Sequence, residues 1–258
     1  AACHEYYHCC IAKDKLTTGL MVAVDATCSG LQILAGLARD KSTAELVNVV
    51  PSNKPSDAYK AVAEKAKEFL PTYMHRWMNR SVCKRTVMTI PYNATKDSSR
   101  KYIREALLEE GIDPTKDELT QVVNAVYNSM DAIVPGPMQV MRWIKKHVGL
   151  YIRSGAKEVE WVTPSGFIVN QRRDDIETER MELQLLGRTQ VRLPTGKTTP
   201  SPTKHKSSTA PNYIHSFDAS ILHRSFTQFD EPFTVIHDSV LCRAGDMGTL
   251  NRLVRETY

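Results

Sequence analysis

RSVCKRTVMTIPYN, residues Arg80 to Asn93, carries a helical stripe with a cationic end and an aromatic end. Arg80, Lys84, Met88 and Tyr92 recur every fourth residue, and at 3.6 residues per turn such positions form one slowly winding line. About 18 Å separates its ends at 1.5 Å per residue, enough to lie along a nucleoside triphosphate. Arg80, Lys84 and Arg85 would meet the phosphates, which suit guanidinium forks and ammonium point charges, and Tyr92 would meet the sugar and base. Pro91 lacks an N–H and disfavours helical geometry at Ile90, so the helix is expected to end or kink close to Tyr92. Asn93 follows, a residue that tolerates the left-handed conformation a chain adopts on leaving a helix. Without a ligand in view, the same stretch also reads as an amphipathic surface helix with a basic face and a core methionine.

The surrounding chain sets limits on this reading. Its 258 residues, 41% of them hydrophobic, supply a core for one large domain or a domain with a sizeable insertion. Lys and Arg outnumber Asp and Glu by 34 to 29, and the net charge of +5 leans toward phosphate or nucleic acid. No apolar run approaches the length of a membrane span and no signal-peptide pattern is present, which argues against membrane insertion or secretion. The sequence opens on Ala1, so a longer parent protein is expected. Cys3, Cys9, Cys10, Cys28, Cys83 and Cys242 are not spaced as a disulfide framework and are expected as free thiols. CHEYYHCC at the start lacks a second ligand pair at zinc spacing.

GLMVAVD, Gly19 to Asp25, reads as a short apolar strand ending on a carboxylate, and LQILAGLARD after it as a helix. The middle third is mainly helical: a helix from Ser56, the Arg80 helix, one from Lys96 to Glu110 closed by Gly111, and one from Asp117 interrupted at Pro135 to Pro137 and resuming over 138–148. VEWVTPSGFIVNQ reads as strand, turn and return strand, with a second pair expected over 177–186 and 188–193. Pro194 to Ala210, rich in Pro, Thr, Ser and Lys, reads as a mobile loop, and Asn212 to Phe229 as a helix bearing His215, Asp218 and His223. FTVIHDSVLCRAG then reads as a hairpin with His237, Asp238 and Ser239 near its tip.

Asp25 and Asp238 share a setting: each ends an apolar strand, where a buried carboxylate needs a cation or donor. Magnesium is one candidate partner, and hydrogen-bonded or half-exposed turn aspartates are the alternative.

Four stretches taken together, VAVDATCSGLQ, RSVCKRTVMTIPYN, APNYIHSFDAS and VIHDS, closely resemble the single-subunit, phage and mitochondrial type of DNA-dependent RNA polymerase, and WVTPSGF fits the same order. The resemblance covers nearly the whole chain. It implies an α+β fold: a right-hand polymerase palm with a small antiparallel sheet and a mainly helical fingers insertion. Palm would be 1–41 and 216–258, and fingers 42–215, with a specificity-type hairpin and loop over 169–206. It implies DNA-templated RNA synthesis, with Asp25 and Asp238 holding two magnesium ions. Arg80 and Lys84 would bind the triphosphate, with Lys84 also a proton donor to pyrophosphate. Tyr92 would sense the sugar, His215 would contact the ribose 2′-hydroxyl, and His237 the primer terminus. DNA template, RNA product and ribonucleoside triphosphates are the implied partners of a monomer with no membrane association, in the cytoplasm of an infected bacterium or in an organelle.

The chain departs from the family pattern at Ala26 and Asn93, where glycine is usual, and at Pro91. The family's upstream domain, thumb and extreme C-terminus have no counterpart here. A related family A-type DNA polymerase is the nearest alternative, since Arg-x3-Lys-x7-Tyr and a His-Asp hairpin occur in both. Those enzymes typically place glutamate where this chain has Gly30, which leaves room beside the sugar, and glutamate where it has Ser239. A non-catalytic nucleic-acid-binding remnant is the third reading, and it gives no reason to keep both aspartates with Lys84 and Tyr92.

Overall fold

The computed structural model describes all residues except Ala1, Leu16, Leu185, Leu186 and Arg188, so the expected strand ends at Leu186 and Arg188 lie outside the described residues. In chain order the elements are α1 (Ala2–Tyr6), which continues into a π-helical turn (Tyr7–Ile11), β1 (Met21–Val24), α2 (Ser29–Ala38), α3 (Lys41–Leu46), α4 (Ala58–Lys67), α5 (Arg80–Thr89), α6 (Lys96–Glu109), α7 (Lys116–Ile133) and α8 (Pro135–Arg153). There follow β2 (Val159–Val162), β3 (Ile168–Gln171), β4 (Asp174–Leu183), β5 (Thr189–Pro200), α9 (Pro202–Phe226), β6 (Phe233–Ile236), β7 (Ser239–Arg243) and α10 (Met247–Thr257). Helices and small antiparallel sheets together make an α+β fold. The six cysteines are free thiols.

The chain divides into two compact units. The first comprises 1–29, 163–167 and 216–258. Its sheet has the order β1-β7-β6, all antiparallel, with Val24 opposite Val240 and Ile236 opposite Ser239. Alternate positions of the central strand, Val240 and Cys242, are buried with Phe229, Leu250 and Leu253, as expected where successive side chains point to opposite faces. β1, by contrast, is exposed at all four positions.

The second unit comprises 30–162 and 168–215. Its core is a packed set of α4, α5, α6 and α7, in which Val62, Val82, Val87, Ile103, Leu107, Val122, Val126 and Met130 are fully buried. The helix starts are written in the sequence. Asp57, Asn79 and Thr95 each accept a hydrogen bond from the backbone N–H three residues on, and Thr115 and Glu118 form a reciprocal capping box. Gly111, with φ of +76°, closes α6 in the left-handed region glycine occupies without strain.

Two expectations change here. The break expected near Pro135 is present at Val134, but the helix resumes at Pro135 and not at Met138, since a missing N–H in the first turn costs no intrahelical bond. Pro194 to Ala210 is not a loop. β5 runs through Pro200 and α9 begins at Pro202. In a two-stranded ribbon a proline can turn its missing N–H outward, threonines favour extended backbone, and Pro202 is tolerated in a first helical turn. The segment expected over 169–206 thus resolves into the end of β3, the β4–β5 ribbon over 174–200, and the first turn of α9. Lys204 ties the ribbon to α9 by donating to the Asp174 carbonyl at 2.7 Å, and it pairs with Asp175.

Candidate functional site

In the first unit the two strand-end aspartates lie at one end of the sheet. β1 stops at Val24 and β7 starts at Ser239, and these strands pair, so Asp25 and Asp238 leave the same end of the ladder. The Ser239 hydroxyl donates to the Val24 carbonyl across that end at 3.4 Å. Ile236 and Ser239 face each other, making His237-Asp238 a two-residue hairpin turn in which His237 carries φ of +57°. Asp25 is exposed and Asp238 half-buried. The burial expected at these strand ends is thus found only in part: Asp25 follows a strand with no packed face, while Asp238 adjoins the packed strand β7. Their electrostatic presence shows in a third acid, Asp218 on α9, whose carboxyl is pushed up to about 6 by burial first and by the charges of Asp238 and Asp25 next. Carboxylate oxygens are the donor type that a hard divalent cation takes. Among the described residues no group of three or more His, Cys, Asp or Glu side chains is arranged to hold a metal ion.

In the second unit α5 buries Val82, Cys83, Thr86 and Val87, which turns Arg80, Lys84 and Met88 to the exposed side. Met88 is thus a surface residue and not core. Lys84 has no ion pair among the described residues. Arg80 pairs through Nε with Asp57 at 2.7 Å, and its guanidinium lies 5.3 Å from the Tyr59 ring centroid. Burial pushes the Asp57 carboxyl up, but donation from the Lys60 N–H and from Arg80 outweighs it and leaves that carboxyl below its ordinary value. Arg85 pairs with Glu105 at 2.9 Å and lies 4.1 Å from the Tyr102 ring centroid, linking α5 to α6 as Arg80 links it to the start of α4.

α5 ends where Pro91 demands. Asn93 donates its N–H to the Ile90 carbonyl and Ala94 to the Thr89 carbonyl, with Asn93 at φ of +65°, the bond pattern of a Schellman closure. This turn presents Tyr92, whose ring stacks on His215 with centroids 4.6 Å apart and planes 24° from parallel. Gly30 sits against the same ring. A Cβ there would lie 2.8 Å from Pro91 Cβ and 3.2 Å from Tyr92 Cζ. The room expected beside Gly30 is therefore filled by Pro91 and Tyr92. Gly30, Tyr92 and His215, far apart in sequence, are brought together.

The model described as DNA-dependent RNA polymerase matches residues 1–258. The chain belongs to the DNA-dependent RNA polymerase family. It is 28% identical to the mitochondrial DNA-directed RNA polymerase of Mus musculus over its whole length, which is 23% of that protein. It is also 28% identical over its whole length to T7 RNA polymerase of Escherichia phage T7, covering 36% of it. To DNA-directed RNA polymerase 2A of Nicotiana tabacum it is 28% identical over 96% of the chain and 80% of the relative. The chain thus spans about a quarter to a third of the mouse and phage relatives.

One member of the acidic end was not assigned from sequence. Asp218 was legible only as a residue three beyond His215 on one helix, and such neighbours share a face. What distinguishes it is proximity to carboxylates from two distant strands, which no local pattern encodes.

Proposed function

We propose that this chain contributes the catalytic part of a polymerase that carries out DNA-templated RNA synthesis, adding ribonucleotides to an RNA 3′ end. The observation that carries the choice of ribonucleotide is the Tyr92–His215 stack seated on Gly30. A side chain at position 30 would press on Pro91 and Tyr92, so the glutamate of the related DNA polymerases would fit here only by displacing the turn that carries Tyr92.

In this reading the first unit is palm and α4 to α8 belong to fingers. The terminal 3′-oxygen attacks the α-phosphorus of the incoming triphosphate, the new P–O bond forms, and the bond to pyrophosphate breaks. Arg80, held by Asp57 through Nε, turns its terminal nitrogens to the triphosphate oxygens, and Lys84 adds a second cation and gives a proton to the departing pyrophosphate. Tyr92 and His215 face the sugar, His215 hydrogen-bonding the ribose 2′-oxygen, and His237 meets the primer terminus. Asp25 and Asp238 would hold two magnesium ions, which when bound favour the ionised 3′-oxygen and offset charge on the leaving group. The segment 169–206, in which Arg172, Arg173, Lys204 and Lys206 flank the β4–β5 ribbon, reads DNA. DNA template, RNA product and ribonucleoside triphosphates are the partners of a monomer, in a phage-infected bacterium or an organelle, the two settings that the relatives' names carry.

The test is extension of a primed template by the full-length protein with magnesium, comparing kcat/KM for a ribonucleotide and its deoxy counterpart. Tyr92→Phe removes one hydroxyl and keeps the ring, and the ribonucleotide preference should fall by roughly one to two powers of ten. A parent protein preferring deoxynucleotides would overturn the reading.

A further inference from the structure

A proline sits inside α9. Pro211 has no N–H, so the carbonyl four residues earlier, that of Ser207, is denied its intrahelical partner. That carbonyl is not left bare: the Asn93 side-chain amide donates to it through Nδ2 at 3.0 Å. Asn93 is also the left-handed residue that closes α5, at φ of +65°, and the residue immediately after Tyr92. His215 stands two helical turns beyond Ser207 on α9, and it is the residue on which Tyr92 stacks.

We propose that Asn93 is a positioning residue, a latch that fixes Tyr92 against His215 by filling the bond Pro211 removes from Ser207. Two requirements meet in one side chain. Glycine would satisfy the left-handed backbone but could not reach Ser207. Most other side chains that could reach a carbonyl would be strained at that φ. Asparagine meets both, since its short amide reaches locally and its backbone accepts the left-handed region at modest cost. Tyr92 is thereby held from two sides: the backbone after it is anchored to α9, and its ring rests on an α9 side chain. Losing the amide leaves the α5 closure intact and frees the turn to shift relative to α9, so the ring pair loses its register. This inference rests on the proposed role of Tyr92 and His215 at the sugar, but the latch itself is a property of the fold.

Asn93→Gly keeps the left-handed residue and removes the donor, so folding is preserved by design. Asn93→Asp keeps size and turns an oxygen toward the Ser207 carbonyl. Pro211→Ala restores an N–H and gives that carbonyl an intrahelical partner. Two readouts are taken on the full-length protein. Thermal unfolding should show that Asn93→Gly lowers the midpoint in the parent and by clearly less in the Pro211→Ala background, because the carbonyl then has another donor. On a primed template with magnesium, both Asn93 variants should lower the ribonucleotide-to-deoxynucleotide ratio of kcat/KM by about twofold to tenfold, the span of one ordinary hydrogen bond, acting on ribonucleotide KM more than on kcat. A purely structural role would lower the midpoint and leave the ratio alone, and that result overturns the positioning claim. An equal midpoint loss with and without Pro211 overturns the latch. A parent protein without ribonucleotide preference would instead sink the functional reading, and the unfolding comparison would still decide the latch.

Discussion

Gly30→Ala is a one-carbon change whose cost follows from distances. The added Cβ would lie 2.8 Å from Pro91 Cβ and 3.2 Å from Tyr92 Cζ, against an optimum near 3.5 to 4.0 Å for carbon pairs. Pro91 is buried and ring-bound, so it cannot swing away as a flexible side chain would. Overpacking of this kind costs about 1–3 kcal/mol. Gly30 is the second residue of α2, where alanine regains up to about 1 kcal/mol of helix propensity. Taking the middle of the overpacking range, about 2 kcal/mol, the net loss is about 1–2 kcal/mol, several-fold to about thirtyfold in the folded ratio. The relief comes from movement of the Pro91-Tyr92 turn, which carries Tyr92 off its seat beside His215. Urea unfolding of parent and variant measures the first effect, and the ribonucleotide-to-deoxynucleotide ratio on a primed template measures the second. Both should fall together. An unchanged unfolding midpoint with an altered ratio would refute the argument, because Gly30 would then act as open space for the sugar and not as the seat of Tyr92.

Asp25→Asn and Asp238→Asn should each abolish extension while leaving urea unfolding near the parent, since magnesium binds few protein ligands and cannot spare one; substantial activity of Asp238→Asn at saturating magnesium would end the metal assignment. Asp218 has its folded pKa raised from 3.8 to about 6, so its contribution to stability is full below 3.8 and lost as pH rises through about 6. Asp218's share of the stability of metal-free protein should therefore fall across that window, and Asp218→Asn should remove that downward component from the pH profile. Magnesium should raise the unfolding midpoint more at pH 8 than at pH 4, and equal stabilisation at both would count against carboxylate binding. Exchanging 174–200 for the corresponding ribbon of a relative should move promoter preference and spare extension of a primed template, whereas loss of both would mark the ribbon as structural.

What could be read from the sequence was what a residue does to its own neighbourhood. Pro91 and Asn93 announced the end of α5 because a missing N–H and a tolerance for positive φ act within a few residues, and the closure found there uses both. His237-Asp238 announced a turn between two apolar arms for the same reason. What stayed hidden was decided at a distance. Arg85 reads as a bare cation, and its partners Glu105 and Tyr102 come from a different helix, α6. Asp218 reads as one more polar residue on a helix until two strand ends place their charges near it. Pro194 to Ala210 reads as a loop because composition alone does not separate a loop from a ribbon, and the pairing partners of 189–200 are the residues of β4. Pro211 shows how far the distinction reaches. Its local effect, a freed carbonyl, depends on α9 extending upstream to Ser207, and the donor that fills it comes from the end of a different helix. At Asn93, then, the departure from glycine that reads in sequence as a mild backbone equivalent becomes in three dimensions an added contact, made possible by a proline more than a hundred residues away.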